Sequence, residues 1–239
     1  MGLGWCCFRN YAGHAEEIGG DISEEYPRFF LKPARAHVEA DENGNNLIEL
    51  MNEDDHIDHE AELVIRLGDD LQPEWMCIGC DTTNRTRQTI AKNKRWPWTE
   101  GKAFRGSGVL GTWTRYEKGV FQVTMKVNGE TKQDAPTSLM IHSVEELVEH
   151  LSGWYDLSPG DLVWTGTPAG VGPMYKGDIV EGYLTKQKGE IVSTLNAKCV
   201  VNGCYSVEIV CIFPPMNLKM TVLADDSWNT SSSLDQHSH

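Results

Sequence analysis

The sequence predicts one mostly β domain with a few short helices. Three observations carry that reading. Short apolar segments with alternating or β-branched centres recur along the chain, at Glu60–Leu67, Val120–Val127, Asp161–Thr165 and Ile179–Leu184. Turn formers such as Asn43-Gly44 and Asn128-Gly129 punctuate them. Only Ser143–Leu151 combines a helix cap with a full helical apolar face. At 239 residues the chain can bury a substantial core, and neither an internal repeat nor a mid-chain linker divides it.

In chain order, an apolar strand-like piece opens the sequence. After Arg9-Asn10-Tyr11, a short helix is expected from Ala12 to about Ile18, stopped by Gly19-Gly20. Residues 27–38 read as an extended segment ended by Pro33, and Asn43-Gly44-Asn45-Asn46 as a turn. Glu60–Leu67 and Trp75–Asp81 are strand candidates, and Thr83–Lys92 is a helix candidate. In 120–127, Phe121, Val123, Met125 and Val127 alternate with polar positions. Asn128-Gly129 then favours a two-residue hairpin turn. Ser143 caps a helix whose Glu146 completes a capping box and whose Leu147, Val148 and Leu151 form one face. Beyond Val201 an apolar stretch to Leu223 is broken by Pro214-Pro215, and the polar last dozen or so residues are expected to be disordered.

Composition excludes several classes of function. The net charge of −14 disfavours nucleic acid and anionic membranes, which both attract positive fields. Glu53, Asp54, Asp55 and Asp58 read as solvated acidic surface. Seven cysteines form no even framework, and the lone Cys77-Ile78-Gly79-Cys80 pair reads as two small core residues. No apolar run approaches the length of a membrane span and no signal peptide is visible. Met1-Gly2 lacks the Ser or Thr at position 6 that myristoylation favours, since Cys6 stands there. The expectation is a cytoplasmic protein.

Three separated segments carry the chemistry. Residues two apart on a strand share a face, so Glu60 and Glu62 converge. Taken alone, the pair reads better as two solvated glutamates on an exposed strand face. Asp81, ending an apolar strand before Thr82-Thr83, is either a turn former or a third ligand. Three gathered carboxylates call for a cation, and hard oxygen donors favour Mg²⁺, Mn²⁺ or Ca²⁺ over zinc. Thr165–Pro173 is rich in Gly and Pro but is neither a phosphate-binding P-loop nor a dinucleotide fingerprint. It reads as a stiff connection or a pocket wall. His14 and Glu17, three apart on a helix, form either a surface pair or a general base with its orienting carboxylate.

Together these motifs resemble the fumarylacetoacetate hydrolase family, in its small single-domain, acylpyruvate hydrolase-like branch. The resemblance rests on Arg9-Asn10-Tyr11-Ala12-Gly13-His14, Phe30-Leu31-Lys32-Pro33, His59-Glu60-Ala61-Glu62-Leu63 and Asp81–Gln88. Pro97-Trp98-Thr99-Glu100-Gly101-Lys102 and the Thr165–Pro173 loop complete it. It implies a mixed β-roll of the C-terminal-domain type over residues 1–198, in a homodimer, with 199–239 an extension of unassigned role. It implies Glu60, Glu62 and Asp81 as ligands to Mg²⁺ or Mn²⁺. His14 and Glu17 would be the catalytic dyad on a lid, with Lys102 and Gln88 reaching substrate oxygens. Arg85, Thr167 and Arg9 would bind a small anionic keto acid. The implied reaction is hydrolysis of a carbon–carbon bond in a 2,4-dioxo acid; oxaloacetate decarboxylation or tautomerisation, dienoate isomerisation or decarboxylation, and an inactive keto-acid-binding homologue are the alternatives. Two departures from the family pattern stand out. Phe8 replaces a Gly before the lid, which predicts a stiffer hinge, and Thr86 replaces an acidic residue, which predicts a looser contact behind the site.

Overall fold

The computed structural model describes residues 2–17, 19 and 25–201. The segment after Val201 and the helix end at Ile18, both addressed by the sequence reading, lie outside the described residues. In chain order the elements are β1 (Gly4–Cys7), α1 (Ala12–Glu17), β2 (Phe29–Lys32), β3 (His37–Glu39), β4 (Asn45–Leu50), β5 (Ile57–His59), β6 (Ala61–Leu67), β7 (Pro73–Asp81) and β8 (Thr83–Asn84). There follow α2 (Arg85–Lys94), α3 (Thr99–Lys102), β9 (Gly108–Leu110), β10 (Thr114–Arg115), β11 (Phe121–Val127), β12 (Glu130–Pro136) and α4 (Val144–Trp154). The last are β13 (Leu162–Trp164), β14 (Gly172–Pro173), β15 (Ile179–Lys186) and β16 (Ile191–Val201). The expected mostly β architecture with short helices is what forms.

Three mixed or antiparallel sheets organise these strands. The largest runs β2-β1-β13-β6-β7-β9-β3, with β10 added to β7; the second runs β12-β11-β15-β16-β4, and the third β14-β5-β8. β1 lies parallel to β13, β3 to β9 and β4 to β16. The large sheet is apolar on both faces at its centre. Leu63, Ile65, Met76 and Ile78 join Val123, Met125, Leu184 and Leu195 of the second sheet in the main core. Val64, Cys77, Leu162 and Trp164 pack on the opposite face. A strand covered on both sides reads as a continuous apolar run rather than an alternation, as β6 and β7 do.

Local chemistry explains the element ends. Asn128 and Gly129 take φ of 52° and 79°, and Val127 pairs Glu130 across the hairpin. Ser143 Oγ accepts from Glu146 N while Glu146 reaches back to Ser143 N, closing the expected capping box. Asn84 caps α2 by accepting from Arg87 N at 2.9 Å, so this helix begins two residues later than the sequence suggests. Cys77 and Cys80 are buried and unbridged, three apart on one strand and so on opposite faces.

The acidic 53–58 segment departs from expectation. Asp58 is 6% exposed and pairs with Arg85 Nε at 2.7 Å. Asp55 accepts from Asn84 Nδ2 at 2.8 Å. These two carboxylates brace the start of α2 instead of facing solvent, whereas Asp54 is exposed and the exposed Glu53 pairs with Lys176. Charge density alone could not separate the four, because the partner arginine arrives from 27 residues downstream.

Candidate active site

One end of the large sheet gathers the predicted residues. Glu60 sits at the break between β5 and β6, and Asp81 ends β7. Asp81 N donates to Glu60 O at 2.8 Å, so strand pairing sets the two residues across from each other, with Glu62 opposite Gly79 two residues along. The three carboxylates offer oxygens within 4.8 Å of one another, and all three side chains are buried. Burial rules out the solvated strand face, and the three oxygens are gathered closely enough that they could hold a metal ion.

Cations hold two of the three. Lys102, at the end of α3, donates to Glu60 Oε2 (2.6 Å), Asp81 Oδ2 (2.7 Å) and Thr83 Oγ1 (2.6 Å). Burial works against its charge, but Asp81 and Glu60 outweigh it and hold the ammonium above its ordinary range. Arg85 grips Glu60 Oε1 at 2.6 Å, Asp58 Oδ2 at 2.7 Å and Gln88 Oε1 at 3.1 Å. For Glu60, burial is overcome by Lys102 and Arg85, and its carboxyl stays well below the usual range. Lys32 lies 2.8 Å from Asp81 Oδ1 and also donates to Lys102 O and to Ser107 O and Oγ.

Glu62 is different. Its oxygen accepts Gly166 N at 2.8 Å, but it forms no ion pair among the described residues. Burial, then Asp81 and Glu60, push its carboxyl well above the ordinary value. Such a cluster is short of positive charge. Three buried hard-oxygen donors, one of them unneutralised, fit a divalent cation of the Mg²⁺ or Mn²⁺ type.

Helix α1 closes one side. His14 is buried, and its Nδ1 faces Glu17 Oε2 at 3.4 Å. Glu17 in turn accepts Gly170 N at 3.1 and 3.2 Å, tying α1 to the Gly-rich loop. Gly170 takes φ of 99°, and a Cβ there would meet Lys132 O at 2.1 Å, so only Gly lets β12 support the loop this closely. Burial lowers the His14 pKa, against the opposing pull of Glu60 and the Glu17 contact. The cleft is lined by Phe8, Arg9, His14, Phe30, the three carboxylates, Arg85, Gln88, Lys92, Trp98, Lys102 and Thr167. Every predicted site residue except Glu17 lines it, and Glu17 reaches it through His14.

The sequence reading missed several contributors. Lys32 shares its strand phase with Phe30, and a lysine facing the same way as a half-buried aromatic was the available signal. Gln133 left no signal beyond its place on β12. Its Oε1 accepts from His59 Nδ1 and Ala61 N, both at 2.9 Å, while its Nε2 donates to Thr167 Oγ1 (2.7 Å) and Pro168 O (2.9 Å). It thus ties the carboxylate-bearing 59–62 strand to the loop. The two departures also find places. Phe8 packs edge-on to Trp98 with centroids 5.3 Å apart, and the φ of 58° needed for the turn falls on Arg9. Thr86 Oγ1 accepts His56 N at 2.9 Å, supplying a backbone contact where an acidic side chain was expected.

The fumarylacetoacetate (FAA) hydrolase C-terminal family matches residues 4–196. The chain belongs to the fumarylacetoacetate hydrolase family. It is 35% identical over 191 residues to the mitochondrial oxaloacetate decarboxylase of Dictyostelium discoideum, covering 74% of this chain and 86% of that one. It is 30% identical over 236 residues to the mitochondrial oxaloacetate tautomerase of Saccharomyces cerevisiae, covering 81% and 90%. The fumarylpyruvate hydrolase of Pseudomonas aeruginosa, solved with Mn²⁺ and pyruvate, superposes with a TM-score of 0.73 at 31% identity, covering 83% of this chain and 89% of that one.

Proposed function

We propose that this chain is a Mg²⁺- or Mn²⁺-dependent enzyme that hydrolyses a carbon–carbon bond in a 2,4-dioxo acid of the acylpyruvate or fumarylpyruvate type. The observation that carries the reading is the placement of His14, oriented by Glu17, in the same cleft as the Glu60–Glu62–Asp81 cluster. These three carboxylates would hold the cation, which supplies Lewis acidity to a chelated 2-oxo acid.

The remaining chemistry belongs to the protein. With Nδ1–H donated to Glu17, His14 offers Nε2 as the base. It takes a proton from water as the water oxygen adds to C4 of the substrate. The C3–C4 bond breaks, its electron pair passes to C3 of the pyruvyl fragment, and His14 returns the proton there. One water is consumed, and the products are pyruvate and a carboxylic acid. Gln88 and Lys102 would steady the developing oxyanion, each such donor being worth about 3 kcal/mol of barrier. All three Lys102 donors are engaged by protein oxygens, so a substrate contact from Lys102 requires one of them to be exchanged. Arg85, Thr167 and Arg9 would position the anion.

A second reading, oxaloacetate decarboxylation or tautomerisation, is favoured by the names of the Dictyostelium and yeast relatives. It uses the same proton transfer at C3 but no attacking water. One assay separates them: pyruvate release from acetylpyruvate and from fumarylpyruvate with Mg²⁺ and then EDTA, with oxaloacetate run in parallel for pyruvate formation and enol loss. Metal-dependent release from either dioxo acid supports the hydrolase; activity on oxaloacetate alone replaces it with the second reading; inactivity on all three rejects each. We propose further a homodimer, for which sedimentation velocity is the test. A cytoplasmic location is proposed against relatives named as mitochondrial, and fractionation of the native cell decides. Among the described residues no helix is long and apolar enough to cross a membrane.

A further inference from the structure

Helix α2 presents Arg85, Gln88 and Lys92 at spacings of three and four, a single stripe that lines the cleft. Arg85 and Gln88 are accounted for by the carboxylate cluster. Lys92 is not. It stands about 6 Å further along the helix axis than Gln88, at 1.5 Å per residue, on the exposed end of the stripe. Among the described residues it forms no ion pair. Its Nζ instead lies 5.4 Å from the Trp98 ring, beside the aromatic wall that Phe8 and Phe30 continue. Burial, then Arg85, Arg9 and Lys102, disfavour its charge. Glu60 offsets these cations only in part, so an ammonium without an ion-pair partner, beside the Trp98 ring, gains from an anion brought by the ligand.

We propose that Lys92 is a specificity residue that receives the far carboxylate of a dianionic substrate, whose near, 2-oxo-carboxylate end occupies the Glu60–Glu62–Asp81 end of the cleft. The substrate class is then a 2-oxo dicarboxylate rather than a simple acylpyruvate with an apolar tail. This rests on the proposed keto-acid reading and selects within it, because fumarylpyruvate and oxaloacetate carry the second carboxylate and acetylpyruvate does not.

The test compares wild type, Lys92→Met and Lys92→Arg on fumarylpyruvate, oxaloacetate and acetylpyruvate. The expected result is a dianion-to-monoanion ratio of kcat/KM that falls about tenfold or more in Lys92→Met, as for loss of a hydrogen bond to a charged group, and returns largely in Lys92→Arg. An unchanged ratio, or equal losses on all three compounds, would overturn the proposal. Calorimetric titration of the Mn²⁺-loaded protein with oxaloacetate and with pyruvate gives a second readout. If wild type turns over none of the compounds, the keto-acid function fails, yet Lys92 is still decided. A tighter affinity for oxaloacetate that disappears in Lys92→Met supports it, and equal affinities for the two ligands in wild type refute it.

Discussion

His14 is a base whose strength is set by two opposed neighbours. Burial favours its neutral form, while Glu60 and Glu17 favour the cation. The net shift is downward, so the neutral base is present above its depressed pKa and is lost as pH falls through it. The acid limb of kcat/KM should therefore lie below the ordinary histidine value of about 6.5. Glu17→Gln, which removes one upward pull, should move that limb lower still in a pH–rate profile. His14→Ala should cut turnover by about 10²–10⁴-fold with Mn²⁺ affinity retained; unchanged turnover would remove water activation from the mechanism. His37 gives a stability counterpart. Its Nε2 accepts Trp164 Nε1–H at 3.3 Å and its Nδ1 faces Ala34 O, an arrangement that requires the neutral ring. Burial and then Lys32 depress its pKa to about 4. A folded pKa below the unfolded one means its stabilisation is complete above about 6.5 and is lost as pH falls towards 4. The unfolding free energy from urea titration should decline over that window by about 2–3 kcal/mol, and His37→Phe should flatten the decline. At this scale the sequence disclosed the charges but not their pairings. Glu60, Glu62 and Asp81 were legible because strand phase fixes which way they point. Lys32, Asp58 and Gln133 were not, since their partners are brought in from distant segments.

Elements position these side chains through two close approaches. A Cβ on Gly101 would lie 2.8 Å from Gln88 Cβ and 2.9 Å from its Cα, so α3 rests on α2 only because position 101 is Gly. Gly101→Ala should push α3 outward and carry Lys102 with it. Overpacking of this kind costs about 1–3 kcal/mol, and the fall in kcat/KM should exceed what the drop in thermal midpoint explains. On the other side, β12 carries Gln133 between strand and loop. Gln133→Glu keeps the oxygen that serves His59 and Ala61 but sets a second oxygen against Pro168 O. The loop that receives Glu17 should loosen, so kcat should drop while metal affinity holds; equal loss of both would show a general structural defect instead. Hairpin 121–136, helix α4 and strands β6 and β7 were readable because each is specified locally, by a turn dipeptide, a capping box or a long apolar run. β3, β9, β10 and β14 are two or three residues each and exist only as partners of neighbours already in place. Their signal is tertiary.

For the molecule as a whole, the active end joins groups from β5 to β8, α1 to α3 and the 165–170 loop, so metal binding and folding should be linked. Mg²⁺ or Mn²⁺ in hundredfold excess over its dissociation constant should add about 2.7 kcal/mol of stability. EDTA should remove the gain, and Glu62→Gln should abolish it without lowering the metal-free thermal midpoint. The last point follows because Glu62 is the member of the cluster held least by cations. The family, the fold class and the cleft were legible from motifs that each meant little alone, because six of them in order constrain one topology. The substrate's far end was not, since Lys92 looks from the sequence like any surface lysine on a helix.

The ammonium of Lys102 between Glu60 and Asp81 has a practical meaning for the life of the protein. An internal positive group already occupies much of the electrostatic role that a divalent ion would fill, and Lys32 and Arg85 secure it from both flanks. The chain's own cations thus keep the buried carboxylates gathered without an added ion, so EDTA-treated protein should stay folded and bind Mn²⁺ again on its return; unfolding by EDTA alone would contradict this.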